Sequence, residues 1–301
     1  MMASLSANSV KQYDTYLRKW WNYCKNTNSE VFIASVPTVI HFLTELFNEG
    51  AQYGTLNSCR SALAILLGPN LSKDDRIQRF FKGVFRLRPP LPKYNYTWDT
   101  NCVLEHFCQW YPNEEMSFDK LSRKTIMLLA LTTAHRLQTL TKINIKNINV
   151  SSNHISIKIP DFIKTSRAGF KQPILYIPFF NERPAICPAT ALLCYINKSA
   201  PLRKSDLLFV GIKKPHKSVG TQTLSRWVKT TLGECGIDTS VFSAHSTRHA
   251  STSRAHSLGV NIDAIRSTAG WSGNSSVFAR FYNRTILNND CTSLARSIID
   301  S

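Results

Sequence analysis

Three of the four residues at positions 89–92 are prolines, and this cluster limits how the chain can fold. Proline lacks a backbone N–H and its ring clashes with the preceding helical turn, so no helix can continue through the cluster. A stiff backbone of this kind is typical of a spacer between domains. We therefore divide the chain into an N-terminal domain of residues 1–88, a linker of residues 89–98 and a second domain of residues 99–301.

Ahead of the linker, apolar residues recur at steps of three and four, which is the spacing of one face of an α-helix. Pro37 suits the first turn of such a helix, and Gly50 and Gly68 mark helix ends. The first domain is therefore predicted to be a compact bundle of four helices. The predicted helices cover residues 9–26, 35–50, 55–67 and 74–86.

The second domain changes its periodicity once. Apolar and polar residues alternate strictly at 154–159 and more loosely at 174–178, with the polar loop 164–169 between them. This alternation predicts two or three short strands. The predicted fold is therefore mainly α with a small antiparallel β-sheet, in which a helical bundle is joined to an α+β domain. The predicted helices of the second domain lie at about 100–111, at about 117–135 and within 188–301.

The chain is strongly basic in both domains. Its 37 Lys and Arg residues outnumber 19 Asp and Glu residues, for a net charge of +18. The first 98 residues carry +6 of this charge and the remainder carries +12. Folded basic surfaces of this size usually meet nucleic acid, so we expect double-stranded DNA as the partner. A solvated basic surface without a partner is the alternative.

Features that the sequence lacks exclude several other classes of protein. No apolar run approaches the roughly 18–20 residues that cross a bilayer, and the first ten residues lack the apolar block of a signal peptide. We therefore expect a protein of the nucleus or cytoplasm, neither secreted nor embedded in a membrane. The eight cysteines are scattered without a Cys-x-x-Cys pair, so no zinc site and no cofactor are expected.

Candidate chemistry concentrates in a few residues that lie far apart in the chain. His245 and Arg248 are three positions apart and would share one face of a helix. Trp271 and Tyr282 follow further along, and Arg136 lies upstream at the end of an apolar helix. Taken singly, each has a structural explanation as a helix-end cation, a packed histidine or a core aromatic. The combination is what indicates a site.

The order of these residues resembles that of the tyrosine recombinases, also called phage-type integrases, over nearly the whole chain. The family pattern is an arginine, a hairpin lysine, His-x-x-Arg, a His or Trp, and a tyrosine nucleophile. A tryptophan in the fifth position is the Cre-like variant, and the local sequence around the first arginine and the tyrosine looks most like the eukaryotic mobile-element branch (DIRS, Ngaro and Crypton type). The matching residues are Arg136, Lys164, His245, Arg248, Trp271 and Tyr282.

This resemblance implies a two-lobed enzyme, in which the first domain corresponds to the family's core-binding domain and the second to its catalytic domain. It implies that DNA is cut and rejoined, for site-specific recombination or integration, through a 3′-phosphotyrosyl bond and without metal or ATP. It also implies a tetramer of protomers that close around two DNA duplexes. The C-terminal tail, residues 286–301, would form a helix that docks into a neighbouring subunit; a tail that folds back on its own domain is the alternative.

The residue types suit displacement at a phosphodiester. Negative charge builds on the non-bridging oxygens, and Arg136 and Arg248 can each offer two parallel N–H donors to it. Tyrosine has an unperturbed pKa of about 10, so it needs a proton acceptor, for which His245 is the candidate. Lys164 would protonate the departing 5′ oxygen, and the indole N–H of Trp271 would donate to a phosphate oxygen.

Three further positions qualify this assignment. Lys171 lies in the same loop as Lys164 and is its rival; Lys164 is preferred because the family's lysine tends to lie early in this loop, commonly before a threonine. Thr139 stands where the family often has an acidic residue, which removes a partner that would orient a site residue. His249 is predicted to face the structural side of its helix.

Three functions are compatible with the sequence. An active recombinase or integrase is preferred because all six chemical positions are retained in the expected order. A DNA-binding protein that keeps the fold but no longer cuts is the first alternative. An enzyme that relaxes DNA like a type IB topoisomerase is the second.

Overall fold

The computed structural model of the chain describes residues 4–166, 169, 171–271 and 282–287. The chain divides into two compact units next to the proline cluster, the first ending at Lys93 and the second beginning at Tyr94. Each unit has a hydrophobic core of its own. None of the helices in the described ranges combines the length and the apolar character needed to cross a membrane.

The first unit is a bundle of four helices, which confirms the prediction from apolar spacing. The helices are α1 (Ala7–Thr27), α2 (Val36–Asn48), α3 (Tyr53–Leu67) and α4 (Asp75–Leu87). The side chains of Ser6 and Ser35 cap α1 and α2 by accepting a hydrogen bond from a backbone N–H of the first turn. Helix α3 ends at Gly68, whose φ of 100° favours glycine.

The core of the bundle forms around Trp20, which is fully buried in α1. Its indole N–H donates to the carbonyl of Val31 at 3.0 Å, and its ring meets Phe42 edge-on at 5.2 Å. Helix α4 turns its apolar face toward this core. Its outer face exposes three cations at helical spacing, Arg79, Lys82 and Arg86.

The second unit joins helices to short strands. In chain order its elements are β1 (Tyr96–Trp98), α5 (Thr100–Cys108), α6 (Phe118–Thr133), α7 (Leu137–Leu140), β2 (Ile148–Val150), β3 (His154–Lys158), β4 (Ile174–Pro178), α8 (Pro188–Ser199), α9 (Thr221–Glu234), α10 (Ser246–Ser257), α11 (Ile262–Thr268) and β5 (Thr285–Leu287). Strands β2, β3 and β4 form an antiparallel sheet in that order. This confirms the predicted mainly α fold with a small antiparallel sheet.

Helix α6 lies in the centre of the second core, and almost all of its side chains are buried, including two cations. The guanidinium of Arg123 forms ion pairs with Asp119 at 2.9 Å and with Glu234 of α9 at 2.5 Å. The ammonium of Lys124 donates to the backbone carbonyl of Trp110. The ion pairs compensate the desolvation of Arg123, whereas burial lowers the pKa of Lys124 to about 8 despite its hydrogen bond. They anchor the helix whose end leads to Arg136.

The spacer between the units is shorter than the predicted linker of residues 89–98. Tyr94 and Trp98 are buried in the second core. Strand β1 pairs in parallel with β5, with Tyr96 opposite Thr285. The aromatic side chains pull these residues into the second unit, because their burial outweighs the polar character of the residues around them. We call Tyr94–Trp98 the lead-in segment.

The predicted tail helix was expected to begin at residue 286. The structure instead places Thr285–Leu287 in β5. Backbone pairing with β1 takes precedence over the helical spacing of the tail at this point. Residues 288–301 lie outside the described residues, so the helix predicted for them stays a prediction.

Two residues on helix α3 offer a matched test of the first core. Leu63 is fully buried, whereas Ile65 is 43% exposed. We expect Leu63→Ala to lower the free energy of unfolding by about 2–5 kcal/mol, because it leaves a cavity, and Ile65→Ala to lower it by less than about 1 kcal/mol. Urea denaturation followed by tryptophan fluorescence measures both. An equal loss in the two variants would contradict the assignment of this core.

Candidate active site

The first turn of helix α10 is the organising element of the site. His245 is the N-cap residue of this helix and Arg248 lies in its first turn. The chain then passes through α11 to Trp271. Tyr282 lies against α10, where Ser253 hydrogen-bonds to it, and against Trp271. The structure therefore brings these four predicted residues together, with Tyr282 next to each of the other three. His245 and Arg248 come from the start of α10, whereas Trp271 and Tyr282 come from later parts of the chain, as expected for a site assembled by tertiary packing.

Tyr282 is held at both its hydroxyl and its backbone. Its Oη lies 2.9 Å from Nε2 of His245, and the direction of this hydrogen bond depends on the histidine tautomer. Its backbone carbonyl accepts a hydrogen bond from Oγ of Ser253 at 2.8 Å, and the same Oγ accepts from the N–H of Arg284 at 3.0 Å. The residue is 8% exposed. The phenol is thus oriented toward α10 rather than away from it.

Arg248 is buried, with 1% of its surface exposed. Its Nη2 donates to the carbonyl of Ala269 at 2.8 Å, while Nε and Nη1 find no acceptor among the described residues. The guanidinium carbon lies 4.2 Å from the ring centroid of Trp271 and 5.4 Å from that of Tyr282. Burial and then the charge of Arg136 lower the pKa of Arg248 to about 9. The group therefore remains charged at neutral pH.

Arg136 supplies the second positive charge. Helix α6 ends at Ala134, which has a φ of 50°, and Arg136 follows as the half-buried N-cap residue of α7. Within the described ranges, no carboxylate forms an ion pair with Arg136 or Arg248. A buried cation is costly unless an anion compensates it. The two positive charges and the unpartnered Nε and Nη1 of Arg248 make this pair a candidate site for an oxyanion.

Sequence reasoning missed His135, a buried residue close enough to the two arginines for their charges to affect it. Burial, followed by the charges of Arg248 and Arg136, lowers the pKa of His135 to about 4, so its ring is neutral at pH 7. The ring also packs against Gly270, whose φ is 67°; a Cβ at Gly270 would lie 2.9 Å from Cε1 of His135. Only its position next to Arg136 could have pointed to this residue.

The prediction that His249 faces the structural side of α10 is wrong. Its ring stacks on the ring of Tyr282, with centroids 4.3 Å apart and planes 18° from parallel. The signal was present in the sequence, because His249 follows His245 by four residues and such a pair shares one helix face. Proximity to Arg248 in the chain was a poorer guide than helical spacing.

The two candidate lysines lie apart from the contacts that join the other predicted residues. Lys164 and Lys171 are both exposed in the loop between β3 and β4, and no contact among the described residues connects either to His245 or Tyr282. Thr139 is buried, and its backbone N–H donates to the carbonyl of Arg136 at 2.8 Å. Residues 272–281, which connect Trp271 to Tyr282, lie outside the described residues.

This arrangement is suited to attack by a tyrosine on a bound oxyanion. Two guanidinium groups can hold an oxyanion, and a phenol hydrogen-bonded to an imidazole can attack it after losing its proton to that imidazole. Trp271 covers one side of both Arg248 and Tyr282. The ring limits access of water to these groups, which strengthens their electrostatic interaction with a bound anion.

Comparison with known proteins is consistent with this geometry. Residues 105–286 match the sequence profile described as the phage integrase family. No curated protein matches the chain.

Solved structures of recombinases are similar to both units. XerH site-specific recombinase bound to a palindromic difH substrate, a post-cleavage complex, has a TM-score of 0.65 at 16% identity over 97% of this chain and 80% of that chain. The Tn1549 transposon integrase with transposon right-end DNA has a TM-score of 0.60 at 14% identity over 100% and 96%. A lambda integrase dimer bound to a COC′ core site has a TM-score of 0.56 at 10% identity over 93% and 72%. At these identities the likeness shows the fold.

Gly270 tests the packing behind the arginines. In Gly270→Ala the new methyl group meets His135 and the backbone must keep a positive φ, so we expect a loss of about 2–4 kcal/mol of unfolding free energy. Gly259→Ala is the matched control, because Gly259 has a φ of 81° but nothing within 4 Å of its Cβ position. It should cost only about 1–2 kcal/mol. Equal losses, measured by thermal or urea unfolding, would show that the contact with His135 is unimportant.

The depressed pKa of His135 predicts a pH dependence of stability. Between about pH 6.5 and pH 4 the unfolded chain binds a proton at this position that the folded chain does not, so stability falls as the pH falls through this window. From pH 8 to pH 5 the contribution is about 2 kcal/mol. His135→Gln should remove it, whereas replacement of the exposed His41 by Gln should not. Urea midpoints at the two pH values give the difference; an unchanged pH dependence in His135→Gln would refute the assignment.

Proposed function

The chain belongs to the phage integrase family of tyrosine recombinases, and on that premise we propose that it cuts and rejoins double-stranded DNA in site-specific recombination, with Tyr282 as the nucleophile. The observation that carries the proposal is the buried guanidinium of Arg248, which lies beside the hydrogen-bonded pair of Tyr282 and His245 and lacks a carboxylate partner among the described residues. A DNA phosphate is the anion that this family chemistry requires at such a position.

Phosphate binding is the first step. Nε and Nη1 of Arg248 are buried without an acceptor among the described residues and would donate to one phosphate, and Arg136 contributes a second positive charge near Arg248. The negative charge of the phosphate would offset the mutual repulsion of the two guanidinium groups. Because the charge on the non-bridging oxygens increases in the transition state, the same contacts lower the barrier as well as binding the ground state.

Strand cleavage follows by transesterification, in which the phosphate ester of DNA is exchanged for an ester of Tyr282. Oη of Tyr282 attacks the phosphorus and gives its proton to Nε2 of His245, which lies 2.9 Å away. The bond from phosphorus to the 5′ oxygen breaks, and that oxygen takes up a proton, for which Lys164 is the proposed donor. One phosphate ester is exchanged for another, so the 3′-phosphotyrosyl bond retains the energy that rejoining needs. The reaction therefore requires neither ATP nor a metal ion.

Binding of the duplex would involve both units. The exposed cations Arg79, Lys82 and Arg86 of α4 lie on one helix face, and the net charge of the chain is +18. Such contacts release counterions, so affinity falls steeply as salt concentration rises. Closure of the two lobes around DNA, assembly of four protomers on two sites and exchange of the C-terminal tail remain part of the proposal. So do the eukaryotic mobile-element branch and a nuclear location.

A covalent adduct is the direct test. Oligonucleotides that the protein binds are first selected from a random pool, and nicked suicide versions are then incubated with protein. We expect an adduct that resists denaturant with the wild type and none with Tyr282→Phe, because the attacking oxygen is missing. Tyr176→Phe is the matched control, since Tyr176 is an exposed tyrosine of β4, and it should form the adduct at the wild-type level.

Each other result has a distinct meaning. An adduct in Tyr282→Phe would show that another residue is the nucleophile. Binding of selected DNA by the wild type without any adduct would favour the alternative, a recombinase fold that binds DNA and no longer cuts. Relaxation of supercoiled DNA without recombination would favour an activity like that of a type IB topoisomerase.

A further inference from the structure

The lead-in segment is hydrogen-bonded to the turn that contains His245. Oη of Tyr94 lies 2.8 Å from Oγ of Ser243 and accepts a hydrogen bond from the N–H of Ser243 at 3.2 Å. The indole N–H of Trp98 donates to Oγ of Ser246 at 2.9 Å in a buried contact. Ser243 and Ser246 lie on either side of His245 in the chain. The two aromatic residues therefore hold this turn from both ends.

The same segment is also connected to Tyr282 through contacts between aromatic rings. Tyr94 meets His249 edge-on, with centroids 5.1 Å apart, and His249 stacks on Tyr282 at 4.3 Å. Tyr282 in turn is hydrogen-bonded to His245. The contacts form a closed circuit that begins and ends at Tyr94. A shift of Tyr94 would displace both partners of the catalytic hydrogen bond.

A backbone contact reinforces the circuit. Strand β1, which is part of the lead-in segment, pairs in parallel with β5, and β5 begins three residues after Tyr282. The strand pairing limits how far the chain that carries the phenol can move. Three independent kinds of contact, hydrogen bonds, ring packing and backbone pairing, thus connect one short segment to the reacting groups.

We propose that Tyr94 is a positioning residue for DNA cleavage, acting through Ser243 on His245 and through His249 on Tyr282. The inference rests on the proposed function of Tyr282 as nucleophile and His245 as proton acceptor. Tyr94 itself touches neither the phosphate nor the attacking oxygen. Through Ser243 its hydroxyl helps to set the distance between Nε2 of His245 and Oη of Tyr282, and small errors in such a distance reduce a rate strongly while leaving binding intact.

Tyr94→Phe is the decisive variant, because it removes the hydroxyl but keeps the ring against His249. Tyr96→Phe is the matched control: Tyr96 belongs to the same segment, is partly exposed, and its hydroxyl makes no hydrogen bond within the described part of the chain. The single-turnover rate of adduct formation is measured at saturating protein, and the dissociation constant for the same DNA is measured separately. We expect Tyr94→Phe to cleave about tenfold more slowly with an unchanged dissociation constant, and Tyr96→Phe to match the wild type.

Two results would overturn the inference while leaving the proposed function in place. One is a wild-type cleavage rate in Tyr94→Phe. The other is a parallel loss of rate and DNA affinity, which would indicate a general structural defect.

A second measurement does not need cleavage. The ring resonances of His245 in the DNA-free protein are assigned by comparison with His245→Gln and followed by NMR. They should shift in Tyr94→Phe and stay in place in Tyr96→Phe. If the wild type forms no adduct, the proposed function fails, and this comparison still decides the structural claim: unmoved His245 resonances in Tyr94→Phe would refute it.

Discussion

The burial of a charged guanidinium without a carboxylate partner in the described structure is the constraint around which the second unit is arranged. Arg248 is almost wholly removed from water, yet it stays protonated at neutral pH. Within the part of the chain that the structure describes, Arg248 donates to the carbonyl of Ala269, and the indole ring of Trp271 covers one face of the guanidinium. Most proteins neutralise such a group with Asp or Glu, as this chain does for Arg123. Burying Arg248 without a carboxylate partner costs stability, and the proposed function explains this cost if a DNA phosphate supplies the missing negative charge.

The larger features of the fold follow from periodicity. The four helices of the first unit and the strands around 154–159 and 174–178 could be predicted because one apolar face of each element must be buried. The proline cluster marked the division of the chain, since no regular element passes through it. The linker end and the tail start were misplaced because the pairing of β1 with β5 joins residues far apart in sequence. No local pattern carries that information.

The candidate site was predictable in part for a different reason. The combination of residue types in the site is rare, so their order along the chain was informative even without a structure. Two supporting residues were not predictable, because His135 and Tyr94 are defined by packing alone. His249 was predicted to face the structural side, although its spacing of four residues from His245 indicated a shared helix face; the stacked contact of 4.3 Å shows that it supports Tyr282. The choice between Lys164 and Lys171 depends on a loop geometry that neither spacing nor charge determines.

The pairing of β1 with β5 also has a consequence for synthesis on the ribosome. These strands are separated by nearly the whole second unit, and β5 leaves the ribosome after every other described element. Contacts between such distant segments form late, because a long loop must close before they are gained. A nascent chain can therefore fold the helical bundle of the first unit and the sheet of β2, β3 and β4 before the position of Tyr282 is fixed. Assembly of the reacting groups is deferred until residues 282–287 have left the ribosome.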